Sequence, residues 1–154
     1  MARTSQRPAA ANEVSALQAA LAAEHAAVYG YGVVGAYLSG AALTAATSDW
    51  VAHEVARDSL EAMLRSAGQQ PVAAAVAYRL PHRVHSSAGA MSLAVTLEDR
   101  VATAYLGVVA VTSTRIREFG ARELLATAMR AASWRGRTVA FPGFPAGALH
   151  TARG

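Results

Sequence analysis

The sequence predicts an all-α protein, a bundle of four helices of similar length. Of the 154 residues, 39 are alanine, a strong helix former, and apolar residues recur at spacings of three and four. Runs of alternating polar and apolar residues, which are typical of strands, are absent. With 53% hydrophobic and 16% charged residues, the chain has the composition of a folded protein, and its length predicts one domain.

Capping residues and glycines set the expected helix boundaries. Asn12 is a good N-cap residue, and Pro71 follows Gly68 as it does after many helix ends. The four helices are expected, in chain order, at residues 12–38, 48–68, 86–111 and 115–134. The domain organisation is accordingly a disordered N-terminus at 1–11, the bundle at 12–135 and an irregular tail rich in proline and glycine at 136–154.

The connections predict the topology. About ten residues are expected to join helices 1 and 2, and three or four to join helices 3 and 4, so each pair is expected to form an antiparallel hairpin. Residues 68–87, GQQPVAAAVAYRLPHRVHSS, separate the two pairs and are long enough to cross the bundle. A simple up-down-up-down bundle needs no such segment, whereas one class of bundle has a long crossover between its second and third helices. The apolar centre of the segment, residues 72–78, predicts that it runs along the bundle.

Charged residues interrupt the apolar seams of three helices. Glu24 in helix 1 and Glu98 in helix 3 each take a place where an apolar residue is expected, as do His53 and Arg57 in helix 2. Asp58 falls off the main seam and is a weaker candidate. In helix 4 the expected stripe passes through residues 121, 124, 128 and 131 and carries neither carboxylate nor histidine.

Helix depth favours Arg57 as the partner of the two glutamates. With these boundaries Glu24 lies ~21 Å from the end of helix 1, while His53 lies only ~7 Å into helix 2 and Arg57 ~13 Å. We therefore expect a buried ionic network in which Arg57, together with His53, lies between Glu24 and Glu98, because buried charges need partners. A single metal ion, or a small-ligand or proton-transfer site, remains an alternative.

Several motifs together resemble a known family. They are LQAALAAEHAAVYGYGVVG in helix 1, HEVARDSLEAML in helix 2, VAYRLP in the crossover, LEDRVATAYLGVVA in helix 3, and WRG followed by FPG near the end. Over residues 13–145 the chain is similar to an alanine-rich, ferritin-like family of unknown function from actinobacteria. The resemblance implies a ferritin-like four-helix bundle with one long crossover between helices 2 and 3, and no assigned activity.

The ligand pattern of ferritin-like oxidases is incomplete. Those proteins use Glu-x-x-His on two helices, whereas helix 2 here has Glu54-x-x-Arg57 and helix 4 has Glu123-x-x-Ala126. We therefore expect no metal and no cofactor, and a binding or interaction protein rather than an enzyme, with the catalytic residues unknown. The alternative is a metal-dependent oxidoreductase with an atypical carboxylate and histidine site.

Composition limits the remaining functions. The chain has no cysteine and no lysine, which excludes thiol and Schiff-base chemistry. Seven of the 14 arginines follow residue 114, so weak, arginine-mediated nucleic-acid binding is a further alternative, although no recognised motif for it is present. The uncharged stretch at 26–48 is too rich in small residues for a membrane span, and the N-terminus lacks an apolar run of signal-peptide length. A cytoplasmic homodimer is expected.

Overall fold

The structure, a computed structural model, describes residues 6–139 and 141–144. Within that part of the chain it consists of four α-helices without a strand, so the all-α class and the four-helix bundle are confirmed. The helices are α1 (Gln6–Ala36), α2 (Gly40–Ser66), α3 (Ser87–Val109) and α4 (Thr114–Arg135). The expected disorder at residues 1–5 and the expected irregular tail at 140 and 145–154 lie outside the described residues.

The first two helices begin earlier than the sequence predicts. α1 includes residues 6–11, which the sequence predicts to be disordered and to precede the helix start at Asn12. α2 begins at Gly40 instead of Ser48, so the ten-residue link expected before it is wrong. Gly40 has a φ of +55°, a left-handed conformation that favours glycine, and this permits a link of only three residues.

The last two helices begin and end close to the predicted positions. The hydroxyl oxygen of Ser86 accepts a hydrogen bond from the backbone N–H of Gly89 at 3.1 Å and so caps α3. α4 ends at Arg135, and the φ of +71° at the next residue, Gly136, is the left-handed conformation common after helices.

The helices pack in the order that a long crossover requires. α1 packs against α2 and α3, and α3 packs against α4. The Glu13 carboxylate, near the start of α1, accepts hydrogen bonds from the Thr112 hydroxyl at 3.0 Å and the Ser113 backbone N–H at 2.8 Å, just after α3 ends. α1 and α3 are therefore antiparallel, and the segment between α2 and α3 returns along the length of the bundle.

Residues 67–86 form that crossover, and they lie along α1 as predicted. The Gln18 side chain donates to the carbonyl of Gln70 at 2.7 Å and accepts from the N–H of Val72 at 2.8 Å. Further along, the rings of Tyr29 and Tyr78 lie 5.5 Å apart. The apolar centre does not cover the bundle, however, since Val76 is fully exposed. Backbone and aromatic contacts, rather than buried valines, hold the segment.

The apolar core has two parts with a polar layer at their junction. The first part includes Leu17, Leu21, Leu60, Leu64 and Tyr105. The second includes Tyr31, Val34, Leu93 and Leu97. Along α2 and α3, His53 and Glu98 fall between the two parts. Among the helices in the described part of the chain, none is long and apolar enough to cross a membrane.

Candidate functional site

Three fully buried side chains form the centre of the polar layer. They are Glu24 of α1, His53 of α2 and Glu98 of α3. His53 Nδ1 lies 2.6 Å from Glu24 Oε2, and His53 Nε2 lies 3.0 Å from Glu98 Oε1. Because each ring nitrogen faces a carboxylate oxygen, the arrangement favours an imidazolium that donates on both sides. Burial alone lowers the pKa of His53, but the hydrogen bonds and charges of the two glutamates raise it to about 9.

The early start of α2 explains why His53 meets Glu24. His53 is 13 residues from Gly40, or ~20 Å along α2, and Glu24 is 12 residues from Ala36, or ~18 Å from the end of α1. The two side chains therefore lie at the same level of the hairpin. The different levels expected from the sequence followed from the misplaced start of helix 2.

A fourth helix supplies the second cation of the network. Arg130 of α4 donates from Nε to Glu98 Oε1 at 3.1 Å and Oε2 at 3.2 Å, and from Nη2 to the Thr127 hydroxyl at 3.1 Å. Two carboxylates and two cations then balance within the interior. A buried network whose charges and hydrogen bonds are satisfied avoids much of the cost of placing charge away from water.

Two tyrosines complete the hydrogen bonding of the glutamates. The Tyr105 hydroxyl donates to Glu24 Oε1 at 2.7 Å, and the Tyr31 hydroxyl donates to Glu98 Oε1 at 2.5 Å. Burial, followed by the neighbouring carboxylate, raises the pKa of both tyrosines far above the usual value of 10. Both hydroxyls therefore keep their protons and act as donors.

A cleft bounded by α2, α3 and α4 leads from the surface to this network. We call it the Trp134 cleft; it has a volume of about 400 Å³ and is lined by Ala45, Asp49, Met91, Met129, Arg130, Ser133 and Trp134. The Trp134 indole N–H donates to Asp49 Oδ2 at 2.8 Å and contacts the Tyr31 hydroxyl at 3.1 Å. Burial raises the pKa of the Asp49 carboxyl, although the indole hydrogen bond and Arg130 oppose this. Arg130 thus contacts the buried network at one end and lines the cleft at the other.

The structure places Arg57 and Asp58 outside the network. Arg57 Nε contacts Asp58 Oδ1 at 2.9 Å, and its Nη1 lies 3.8 Å from Glu54. The Asp58 side chain is 67% exposed. The prediction that Arg57 faces Glu24 and Glu98 in the interior is therefore wrong. Arg57 lies one turn beyond His53, ~6 Å further along α2 and rotated by ~40°, so it points to the surface.

Sequence reasoning missed Arg130, Asp49 and Trp134. In α4 a periodic signal exists, because steps of four, three and four residues place one set of side chains on a common face. That set is Glu123, Thr127, Arg130 and Trp134. The predicted stripe begins at Ala121, which is exposed, although Ala131 at its other end is buried. Asp49 lies one turn before His53 and shares its face, but the expected start of helix 2 at Ser48 left it in the first turn.

The residues of the network do not fit a metal centre. No group of three or more histidine, aspartate or glutamate side chains within residues 6–139 and 141–144 is arranged to hold a metal ion. The chemistry of the donors explains this, because both nitrogens of His53 contact carboxylates and Glu98 contacts the Arg130 guanidinium. The cations that balance the buried glutamates are side chains of the protein itself.

The fold and this polar layer define an all-α four-helix-bundle protein with a buried ionic core. The chain belongs to the family described as Domain of unknown function (DUF4439), which matches residues 16–146. It is 35% identical to the conserved hypothetical protein rv2844 from Mycobacterium tuberculosis, whose crystal structure it matches with a TM-score of 0.80 over 82% of this chain and 96% of that one. No curated protein matches the chain. Membership in a family of unknown function is therefore confirmed.

Proposed function

We propose that the protein binds a small polar molecule in the Trp134 cleft and carries out no chemistry on it. The observation that supports this is the double contact of Arg130, which neutralises buried Glu98 and also lines the cleft. The network therefore fixes the position of the Arg130 guanidinium, which lines a cavity of about 400 Å³. Cavities of roughly 300–1,000 Å³ with a few fixed polar groups are typical of small-molecule sites.

Binding is favoured over catalysis by the state of the buried groups. A general base needs a free basic atom within reach of the substrate, but both His53 nitrogens are engaged by glutamates. The Tyr31 hydroxyl is fixed against Glu98, and its raised pKa makes it a poor proton donor to a substrate. The remaining charged groups of the cleft, Asp49 and Arg130, attract each other electrostatically, and a fixed pair of opposite charges favours recognition of a charged ligand.

Tryptophan fluorescence offers a direct test, because the chain contains only Trp50 and Trp134. In the Trp50→Phe variant, emission reports on Trp134 alone. We expect some members of a library of small polar metabolites to shift that emission in a saturable way and to raise the melting temperature. A library without any such compound would contradict the proposal.

A blocked cleft provides the matched control. Ala45 lines the cleft and is exposed, so Ala45→Phe, introduced with Trp50→Phe, fills the cavity without entering the core. Ala62→Phe places the same side chain on an exposed position of α2 outside the cleft. We expect Ala45→Phe to abolish the emission shift and Ala62→Phe to preserve it. Equal responses from both variants would place the binding elsewhere.

We further propose that the bundle belongs to the ferritin-like superfamily. The α1–α2 hairpin, the crossover along α1 and the α3–α4 hairpin support this assignment, since ferritin-like folds have one long crossover. This proposal concerns the arrangement of the helices and the crossover. It does not extend to the metal chemistry of that superfamily, because the side chains of the polar layer do not fit a metal centre.

A homodimer is the assembly we propose. Large apolar side chains are exposed on two helices, and such residues favour an interface between copies when they cluster. They include Trp50, Val51 and Val55 of α2 and Leu125 of α4. Sedimentation of the parent and of Val55→Glu tests this, because the variant should dissociate if α2 contributes to the interface. A cytoplasmic location is also proposed, and cell fractionation tests it.

A further inference from the structure

Two charged groups of opposite sign line the Trp134 cleft, and each keeps an atom available. Within the described residues, Asp49 Oδ2 accepts a hydrogen bond from the Trp134 indole N–H, while Asp49 Oδ1 makes no hydrogen bond. Arg130 uses Nε and Nη2 for Glu98 and Thr127, and its Nη1 makes none in the same part of the chain. Among the described residues, Arg135 Nη1 is the only side-chain nitrogen or oxygen that is both buried and without a hydrogen-bond partner. Asp49 Oδ1 and Arg130 Nη1 also lack a partner, so they are not buried and are accessible to solvent. The cleft thus offers a carboxylate acceptor and a guanidinium donor together.

The rest of the cleft is apolar apart from Ser133. Met91, Met129 and the Trp134 ring line it, and Met129 is 65% exposed. Methionine side chains adapt their shape to apolar groups of different outline. A ligand that fills the cleft therefore needs an apolar part next to its charged groups.

We propose that the ligand is a small zwitterion, an α-amino acid with an apolar side chain. This rests on the proposed function of the Trp134 cleft. Its carboxylate would accept from Arg130 Nη1, its ammonium would donate to Asp49 Oδ1, and its side chain would pack against Met91 and Met129. A zwitterion satisfies both free groups at once.

Ligands of one charge fit less well. A simple anion would meet Arg130 but would lie beside the Asp49 carboxylate, and a simple cation would meet Asp49 but would lie beside Arg130. The two residues interact electrostatically with each other, so both charges act on the same small volume. Like-charge contacts in a partly buried cleft oppose binding, and they discriminate against ligands that carry only one charge.

Three related compounds test the proposal without altering the protein. They are L-leucine, 3-methylbutylamine, which lacks the carboxylate, and 4-methylpentanoate, which lacks the ammonium. We expect leucine to shift the Trp134 emission of the Trp50→Phe protein. Each analogue should bind with an affinity at least about tenfold lower than that of leucine, because a charge-assisted hydrogen bond is lost. An analogue that binds as tightly as leucine would overturn the proposal.

Matched variants assign the two contacts. Asp49→Asn should weaken leucine and the amine and strengthen binding of the acid, because the repulsion from the Asp49 carboxylate is removed, whereas Asp58→Asn, at an exposed position on the same helix, should change none of them. Arg130→Lys should weaken leucine and the acid and leave the amine unchanged. If Arg130→Lys does not fold, the three-compound comparison on the parent decides the carboxylate contact.

The outcomes separate this inference from the function on which it rests. If other polar compounds shift Trp134 emission and are blocked by Ala45→Phe, but leucine, methionine and phenylalanine are not bound, the zwitterion assignment fails and the cleft remains a binding site. If no compound binds, both fail. If leucine binds equally to Ala45→Phe, the cleft is not where it binds, and the assignment fails.

Discussion

Arg130 contacts both carboxylate oxygens of Glu98 from a single nitrogen, at 3.1 and 3.2 Å. The glutamate is fully buried, whereas the Arg130 side chain retains 15% of its exposure. The pair therefore connects a buried carboxylate to a guanidinium that lines the Trp134 cleft. Of the two cations that contact Glu98 among the described residues, His53 can lose its proton, whereas Arg130 keeps its charge.

Replacing Arg130 by methionine should destabilise the protein strongly. The change leaves Glu98 buried with His53 as its remaining cationic partner, and breaking a buried ion pair typically costs about 3–5 kcal/mol. Arg57→Ala, the matched control, removes a cation that is paired only at the surface, so about 0–1 kcal/mol is expected. Urea unfolding at pH 7 measures both. A larger loss for Arg57→Ala than for Arg130→Met would contradict this account of the core.

Part of this core could be predicted from the sequence. Glu24, His53 and Glu98 each interrupt an apolar seam at steps of three and four, and a charged residue in such a position has few places to lie except the interior. Their burial follows from periodicity alone. The level along the bundle at which they meet does not follow from periodicity, because it depends on where α2 begins. The segment GAALTAAT is equally compatible with a loop of small residues and with a helix.

The contribution of α4 could not be predicted for a related reason. Alanine packs closely where two helices meet and is also tolerated on an exposed surface. An alanine-rich helix therefore has no unique apolar face. In α4 the stripe starting at Ala121 and the face containing Thr127 and Arg130 are nearly equivalent by pattern. In the structure Thr127 of the second face and Ala131 of the predicted stripe are both buried, and Arg130, beside them, reaches Glu98.

Removing the two buried tyrosine hydroxyls should have unequal effects. Tyr105→Phe leaves Glu24 Oε1 without a hydrogen bond from the described residues, whereas Tyr31→Phe leaves Glu98 Oε1 with His53 and Arg130. An unsatisfied buried acceptor costs about 1–3 kcal/mol, so Tyr105→Phe should lie in that range and Tyr31→Phe below it. Chemical denaturation of the two variants measures the difference. Equal losses would show that the hydroxyls are interchangeable.

Two glycines of α1 make a second matched pair. A Cβ on Gly30 would lie 2.5 Å from Leu97 Cδ1, whereas a Cβ on Gly32 would meet nothing within 4 Å. Gly32→Ala should therefore stabilise the protein by about 0.5–1 kcal/mol through helix propensity. Gly30→Ala should destabilise it, because overpacking costs about 1–3 kcal/mol and exceeds that gain. Melting temperatures test the opposite signs, and stabilisation by both would mean that Leu97 moves aside freely.

Chelation tests whether side chains alone balance the buried charge. The contacts of Glu24 and Glu98 with His53 and Arg130 predict that EDTA leaves the melting temperature of the purified protein unchanged. Elemental analysis of protein purified without chelator is the companion measurement. A stoichiometric metal together with a marked fall in melting temperature on chelation would restore the metalloprotein alternative.

The pH dependence of stability should report on His53. Its pKa is about 9 in the folded protein and 6.5 as a free side chain, so between these values the folded state holds a proton that the unfolded state has released. Stability from this group is complete below pH 6.5 and declines as the pH rises to 9, by roughly 3 kcal/mol in all. His53→Gln cannot titrate, so its free energy of unfolding, although lower at neutral pH, should change much less across that range. Subtracting the variant's profile from the parent's removes the contribution of other groups, and a difference that stays flat from pH 6.5 to 9 would show that His53 is not an imidazolium between Glu24 and Glu98.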